Sequence, residues 1–128
     1  MTIKKLTFYG LMVFFLSLGE EAFSQPSPAA GNLFHHVLLF KWKEDASLAQ
    51  KSEMIKLFKG LPDKVVGFES FEMSDVSLST EGFDSILILK FTSETAMKEY
   101  EAHADHQRIA KTLGPAVVGK FAVVDYWE

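Results

Sequence analysis

Tyr100, His103 and His106 follow one another at three-residue spacing within the segment GFDSILILKFTSETAMKEYEAHADH, Gly82 to His106. Residues three apart share one helix face, so a phenol and two imidazoles converge on one wall. An imidazole that titrates near neutral pH suits a general base, and a phenol beside it suits donation to a developing enolate oxygen. The bland alternative for His106 is a brace between the helix end and the last strand. His103 either seals a pocket mouth or sits in solvent. A third possibility is a metal held by His36, His103 and His106, since imidazoles suit zinc or copper. We assign neither metal nor cofactor: the chain lacks a phosphate loop, a nucleophile elbow and a dinucleotide fingerprint.

The elements that must carry these side chains can be read from periodicity. Phe34 to Lys43, aromatic and aliphatic, reads as a strand. Ser47 opens a helix to Lys59, with Gln50 three residues on and Gly60 and Pro62 at its end. Val65 to Val76 is a second strand with a bulge expected at Gly67, and Asp84 to Phe91 a third. Ser93 caps a second helix that runs to about Ala104, with a further helical piece to Leu113 before Gly114-Pro115. Val118 to Trp127 is the fourth strand. The order βαββαβ predicts an α+β, ferredoxin-like domain: a four-stranded antiparallel sheet with two helices on one face.

Alternation sorts the strand residues between the two faces. Phe34, His36, Leu38, Phe40, Trp42, Leu87, Leu89, Phe91, Phe121 and Val123 are assigned to the helices. Val37, Leu39, Ile86, Ile88, Ala122, Val124 and Tyr126 fall on the other face. That second face is apolar where a solvated one would be polar, and so large a patch in water does not suit a monomer. Its burial is worth on the order of 10 kcal/mol per subunit, comparable with the cost of association. We therefore expect a homodimer closed sheet to sheet through Val37, Leu39, Ile86, Ile88, Val124 and Tyr126. His36 either lines a cavity or is a core histidine bonded to a carbonyl, and His35 belongs to the dimer face or its edge.

Lys4 and Lys5 precede the apolar run Leu6 to Leu18, and small residues stand at Ala22 and Ser24. This pattern predicts a secretory signal peptide over 1–24, since the run is too short for a spanning helix of roughly 20 residues. Residues 25–32, QPSPAAGN, read as a flexible linker, and 33–128 as the domain. The expected protein is exported, periplasmic or secreted, and free of the membrane once its leader is cut. Having no cysteine, it forms no disulfide. The leader removes two lysines and two glutamates, so the remainder keeps the net charge of −4. A mildly acidic chain without a basic stripe argues against nucleic acid.

HHVLLFKWK, the Gly82 to His106 segment and the ending VVDYW together resemble the stress-responsive α/β-barrel (Dabb) family of dimeric ferredoxin-like domains. The resemblance covers nearly all of Leu33 to Glu128, and its most specific piece is Tyr-x2-His-x2-His. It implies a dimeric barrel. One branch, the plant olivetolic acid cyclase type, closes a polyketide by aldol condensation. By that resemblance Tyr100 and His106 match its catalytic pair, His36 its first-strand histidine and Asp125 its C-terminal aspartate. Asp125 would then hold His106 in one tautomer. Phe58 and Ser85 stand where that branch has a tyrosine and a histidine, and Ala104 replaces the proline of its His-Pro-x-His element. The expectation is one small apolar pocket between sheet and helices. His36, Leu38, Phe40, Phe58, Ser85, Leu87 and His103 would touch a small-molecule ligand there, with Tyr100, His106 and Asp125 as the candidate catalytic group. That ligand would be a small apolar or carbonyl compound; the alternative is a cyclase- or lyase-like enzyme with His106 as base and Tyr100 as oxyanion donor.

Overall fold

The computed structural model describes residues 31–128; the expected leader, and the expected linker up to residue 30, lie outside the described residues. Strand β1 (Phe34–Trp42) leads into helix α1 (Leu48–Gly60), a 3-10 turn (Leu61–Asp63), β2 (Phe68–Asp75) and β3 (Ser85–Phe91). Helices α2 (Glu94–Ala102) and α3 (Ala104–Arg108) follow, then a π-helical turn (Ile109–Leu113), a short α4 (Gly114–Val117) and β4 (Val118–Trp127). The sheet order is β2-β3-β1-β4, every neighbouring pair antiparallel. Among the described residues no helix is long and apolar enough to cross a membrane.

Local chemistry sets the helix starts. Ser47 Oγ accepts the Gln50 N–H (3.3 Å) and Ser93 Oγ the Ala96 N–H (3.1 Å), each satisfying one of the donors that a helix leaves open. Phe40, Leu87, Leu89 and Phe91 of the sheet then close on Met54 and Phe58 of α1, Met97 and Tyr100 of α2, and Ile109, Leu113 and Val117 beyond.

The second helix ends two residues earlier than its pattern predicts, at Ala102, because His103 turns extended (ψ 140°) and starts α3. After Arg108 the helix widens by one residue per turn. The Gly114 N–H bonds to the Ile109 carbonyl, and a Cβ on Gly114 would lie 2.8 Å from that oxygen. Gly67 is not the bulge. It sits at φ +84°, and a Cβ there would meet Thr92 Oγ1 at 2.6 Å and Ala96 Cβ at 2.8 Å. The irregular pairing falls one step later, between Phe68 and Ser70.

The outer sheet face carries the apolar set that alternation assigned to it. Register puts Val37 between Ile88 and Val124, and Leu39 between Ile86 and Ala122. Ser70, Glu72 and Ser74 of β2 border the patch along one edge. At one end Lys120 lies over the Phe83 ring and donates to the Glu81 carbonyl. At the other, the buried His35 stacks on Tyr126 with ring centroids 4.5 Å apart. Its Nε2 is 2.7 Å from a Glu128 carboxylate oxygen but out of line for a hydrogen bond.

Part of the helix-side set stays uncovered. Phe121 and Val123 do face that side, but they are 66% and 45% exposed. The helical layer covers Val118 at the start of β4 but not Phe121 and Val123, so these two residues belong to an open apolar strip and not to the core.

Candidate functional site

Antiparallel pairing of the first and last strands sets His36 of β1 directly opposite Asp125 of β4. Cross-strand partners on one face are close neighbours. His36 Nδ1 lies 2.6 Å from Asp125 Oδ1, with the two side chains 14% and 43% exposed. A carboxylate only accepts, so Nδ1 carries the hydrogen and Nε2 is the nitrogen left for a further partner.

The helices bring the second half. Tyr100, near the end of α2, packs against the His106 ring of α3 at 4.3 Å between centroids and lies 6.2 Å from the His36 ring. The Glu101 carbonyl, left without an intrahelical donor at the end of α2, is reached by His106 Nδ1 at 3.0 Å and by Gln107 Nε2 at 2.6 Å. A carbonyl only accepts, so Nδ1 of His106 is the protonated nitrogen and Nε2 the basic one. It is this carbonyl, and not Asp125, that orients His106. Asp125 serves His36, a reassignment that follows from strand register.

Other expected site residues are placed differently. Tyr100 is only 2% exposed, enclosed by Phe68 and Phe91 as well as His106. Burial, with a smaller contribution from Glu101, holds its phenol far above the usual tyrosine range. Phe40, Phe58, Ser85 and Leu87 are buried. Phe40, Phe58 and Leu87 belong to the packed core between sheet and helices, and the Ser85 hydroxyl donates to Asp84; Leu38 is half-buried at the core's margin. His103 is a cap: its Nδ1 accepts the Asp105 N–H at 3.1 Å. Ala104, in the first helical position behind that cap, stands where a proline would also fit. Among the described residues no group of three or more His, Cys, Asp or Glu could hold a metal ion.

The exposed helix-side residues of β4 are thus Phe121, Val123 and Asp125, the last paired with His36. His106 joins this wall through Tyr100 and the nearby His36. A separate shallow cleft of ≈ 880 Å³ between α1 and β2, lined by Ile55, Lys59, Phe71 and Met73 among others, lies at the opposite edge of the sheet. It shares no residue with the histidine wall.

Desolvation lowers the pKa of His106 below its ordinary value of 6.5; the Glu101 carbonyl hydrogen bond and the Glu101 charge oppose this, and nearby His36 adds to the lowering. The folded state therefore favours the neutral ring. Stability from this source is fully present above the unfolded-state pKa and is lost as pH falls through the folded one. Wild type should lose more stability than His106→Gln between about pH 7 and about pH 5, read as the difference in melting temperature across that window. Equal losses would mean that His106 is not buried as described.

The family model of the stress responsive A/B barrel domain (Dabb) matches residues 34–128. The Stress-response A/B barrel domain-containing protein HS1 of Arabidopsis thaliana is 32% identical over 94 residues, covering 71% of this chain and 85% of HS1. A second stress-response A/B barrel domain-containing protein of the same plant is 26% identical over 113 residues, 85% of this chain; the match spans only 43% of that relative. Among solved structures, a dimeric protein of ferredoxin-like fold and unknown function from Bacteroides fragilis is 24% identical with a TM-score of 0.56, covering 73% of this chain and 94% of that one. The hydroxynitrile lyase of Passiflora edulis is 17% identical with a TM-score of 0.66, covering 75% and 93%. At these identities both structures share the fold.

Proposed function

The chain belongs to the stress-responsive A/B barrel (Dabb) family, and from that premise we propose that it is an exported homodimer, periplasmic or secreted. Each copy binds a small apolar or carbonyl compound at the wall of His36, Asp125 and His106. The observation that carries this reading is the juxtaposition on β4: an imidazole–carboxylate pair at 2.6 Å beside exposed Val123 and Phe121. The strip offers apolar area and the two imidazoles offer hydrogen bonds, the usual make-up of a small-molecule site. The homodimer rests on the apolar outer face and on neighbours described as dimeric. Export rests on the pattern of residues 1–24.

A second reading is lyase- or cyclase-like chemistry on the bound carbonyl. His106 favours it, because the ring is held neutral with Nε2 free to accept a proton. That a neighbour of this fold is a hydroxynitrile lyase fits the same reading. A thermal-shift screen of the full chain against small phenolic and carbonyl compounds tests binding. The expected result is a rise in melting temperature that His36→Ala removes. Ligands that stabilise both proteins equally would place the site elsewhere.

A further inference from the structure

We propose that His36, positioned by Asp125, is the hydrogen-bond and proton donor to the ligand's carbonyl oxygen, the role that residue type alone would give to Tyr100. The proposal rests on the site reading above and adds which residue does what. Tyr100 is a poor donor to anything bound outside, because Phe68, Phe91 and the His106 ring enclose it. His36 is the imidazole with a carboxylate on one nitrogen, at 2.6 Å, and an uncommitted second nitrogen. When protonated it carries a hydrogen on both, one held by Asp125 and one for the ligand.

His106 differs in kind. Its Nδ1–H goes to the Glu101 carbonyl, an uncharged acceptor, and its burial favours the neutral ring with a lone pair at Nε2. Two imidazoles in one wall thus differ in partner, a carboxylate for His36 and a backbone carbonyl for His106, and in this proposal the first is the donor and the second the acceptor. On a ketone with an α-hydrogen, His106 Nε2 takes the α-proton and the C–H pair moves into the enol double bond. The carbonyl oxygen takes the Nε2 hydrogen of protonated His36, which leaves His36 neutral with Nδ1–H still on Asp125. Charge and protons balance without a co-reactant.

The test uses the full-length protein, 4-hydroxyacetophenone as probe and ring-nitrogen NMR of the histidines. In wild type the neutral His36 ring should be the Nδ1–H tautomer, and in Asp125→Ala it should revert to the Nε2–H form that free imidazole prefers. Asp125→Ala should also weaken probe binding about tenfold, the loss of one charge-assisted hydrogen bond, and by more than Tyr100→Phe does. Circular dichroism establishes that both variants are folded. The proposal is overturned if Asp125→Ala changes the His106 tautomer and leaves that of His36, or if Tyr100→Phe costs more affinity than Asp125→Ala. A wild-type chain that binds no ketone sinks the site reading instead, while the tautomer measurement still decides the pairing of Asp125.

Discussion

Tyr100→Ala lowers the stability of the domain by about 3–5 kcal/mol, the usual loss when a buried aromatic is cut back to a methyl group. The ring closes the core at the junction of sheet and helices. It meets Phe68 edge-on at 5.4 Å and Phe91 at 5.2 Å, and His106 lies against it at 4.3 Å. Removing it opens a void and also takes away the surface that keeps His106 desolvated. In a domain of this size that loss corresponds to a fall of roughly 15–30 °C in melting temperature. Tyr100→Phe keeps the ring and should cost less than about 1.5 kcal/mol. Calorimetry of the two variants separates packing from hydroxyl. Equal losses would mean that the hydroxyl, not the ring, holds this corner together.

The second large effect is on assembly. Val37 lies on a central strand of the outer face, flanked in register by Ile88 and Val124. Val37→Asp puts a carboxylate there that is too short to reach the polar rim of Ser70, Glu72 and Ser74. A two-fold partner would bring a second one into the same dry region. Each buried ion costs several kcal/mol without a counter-charge, so the dimer should weaken by at least about 1,000-fold. Analytical ultracentrifugation at micromolar concentration should find wild type as a dimer and Val37→Asp as a folded monomer. Identical sedimentation of the two proteins would remove this face from the interface.

Much of this architecture was legible in residue pattern, and the exceptions share a cause. The span Val118–Trp127 matched its strand, and Ser47 and Ser93 cap the helices that their positions announce, because these signals are local. His103 was missed as a helix break. A histidine seldom caps, and nothing before it in the chain marks a stop. Alternation placed Phe121 and Val123 on the correct face, yet it carries no information on how far two helices reach across four strands.

The site followed the same rule. Tyr100 packs on His106 and lies near His36, but not through the three-residue spacing: the helix breaks at His103, so Tyr100, His103 and His106 do not share one continuous helix face. The partner of Asp125 depended on register, a non-local property. Counting inward from Phe34 and Trp127, the two ends of an antiparallel pair, reaches His36 and Asp125 on the same rung, and that signal was present in the chain. The Glu101 carbonyl could not be foreseen, since it becomes available only where the helix ends. An apolar list does not say whether its side chains leave a gap; Phe40, Phe58 and Leu87 sit in the packed core instead.

The central claim is that a small carbonyl compound sits against His36 and His106 on the open side of β4. Histidine ring spectra recorded during titration with 4-hydroxyacetophenone test it most directly. The account predicts that the His36 and His106 signals shift together and saturate, with His103 little changed because its Nδ1 is held by the Asp105 N–H. Saturable binding that leaves both rings unmoved and perturbs Ile55, Phe71 and Met73 at the far edge of the sheet would contradict it.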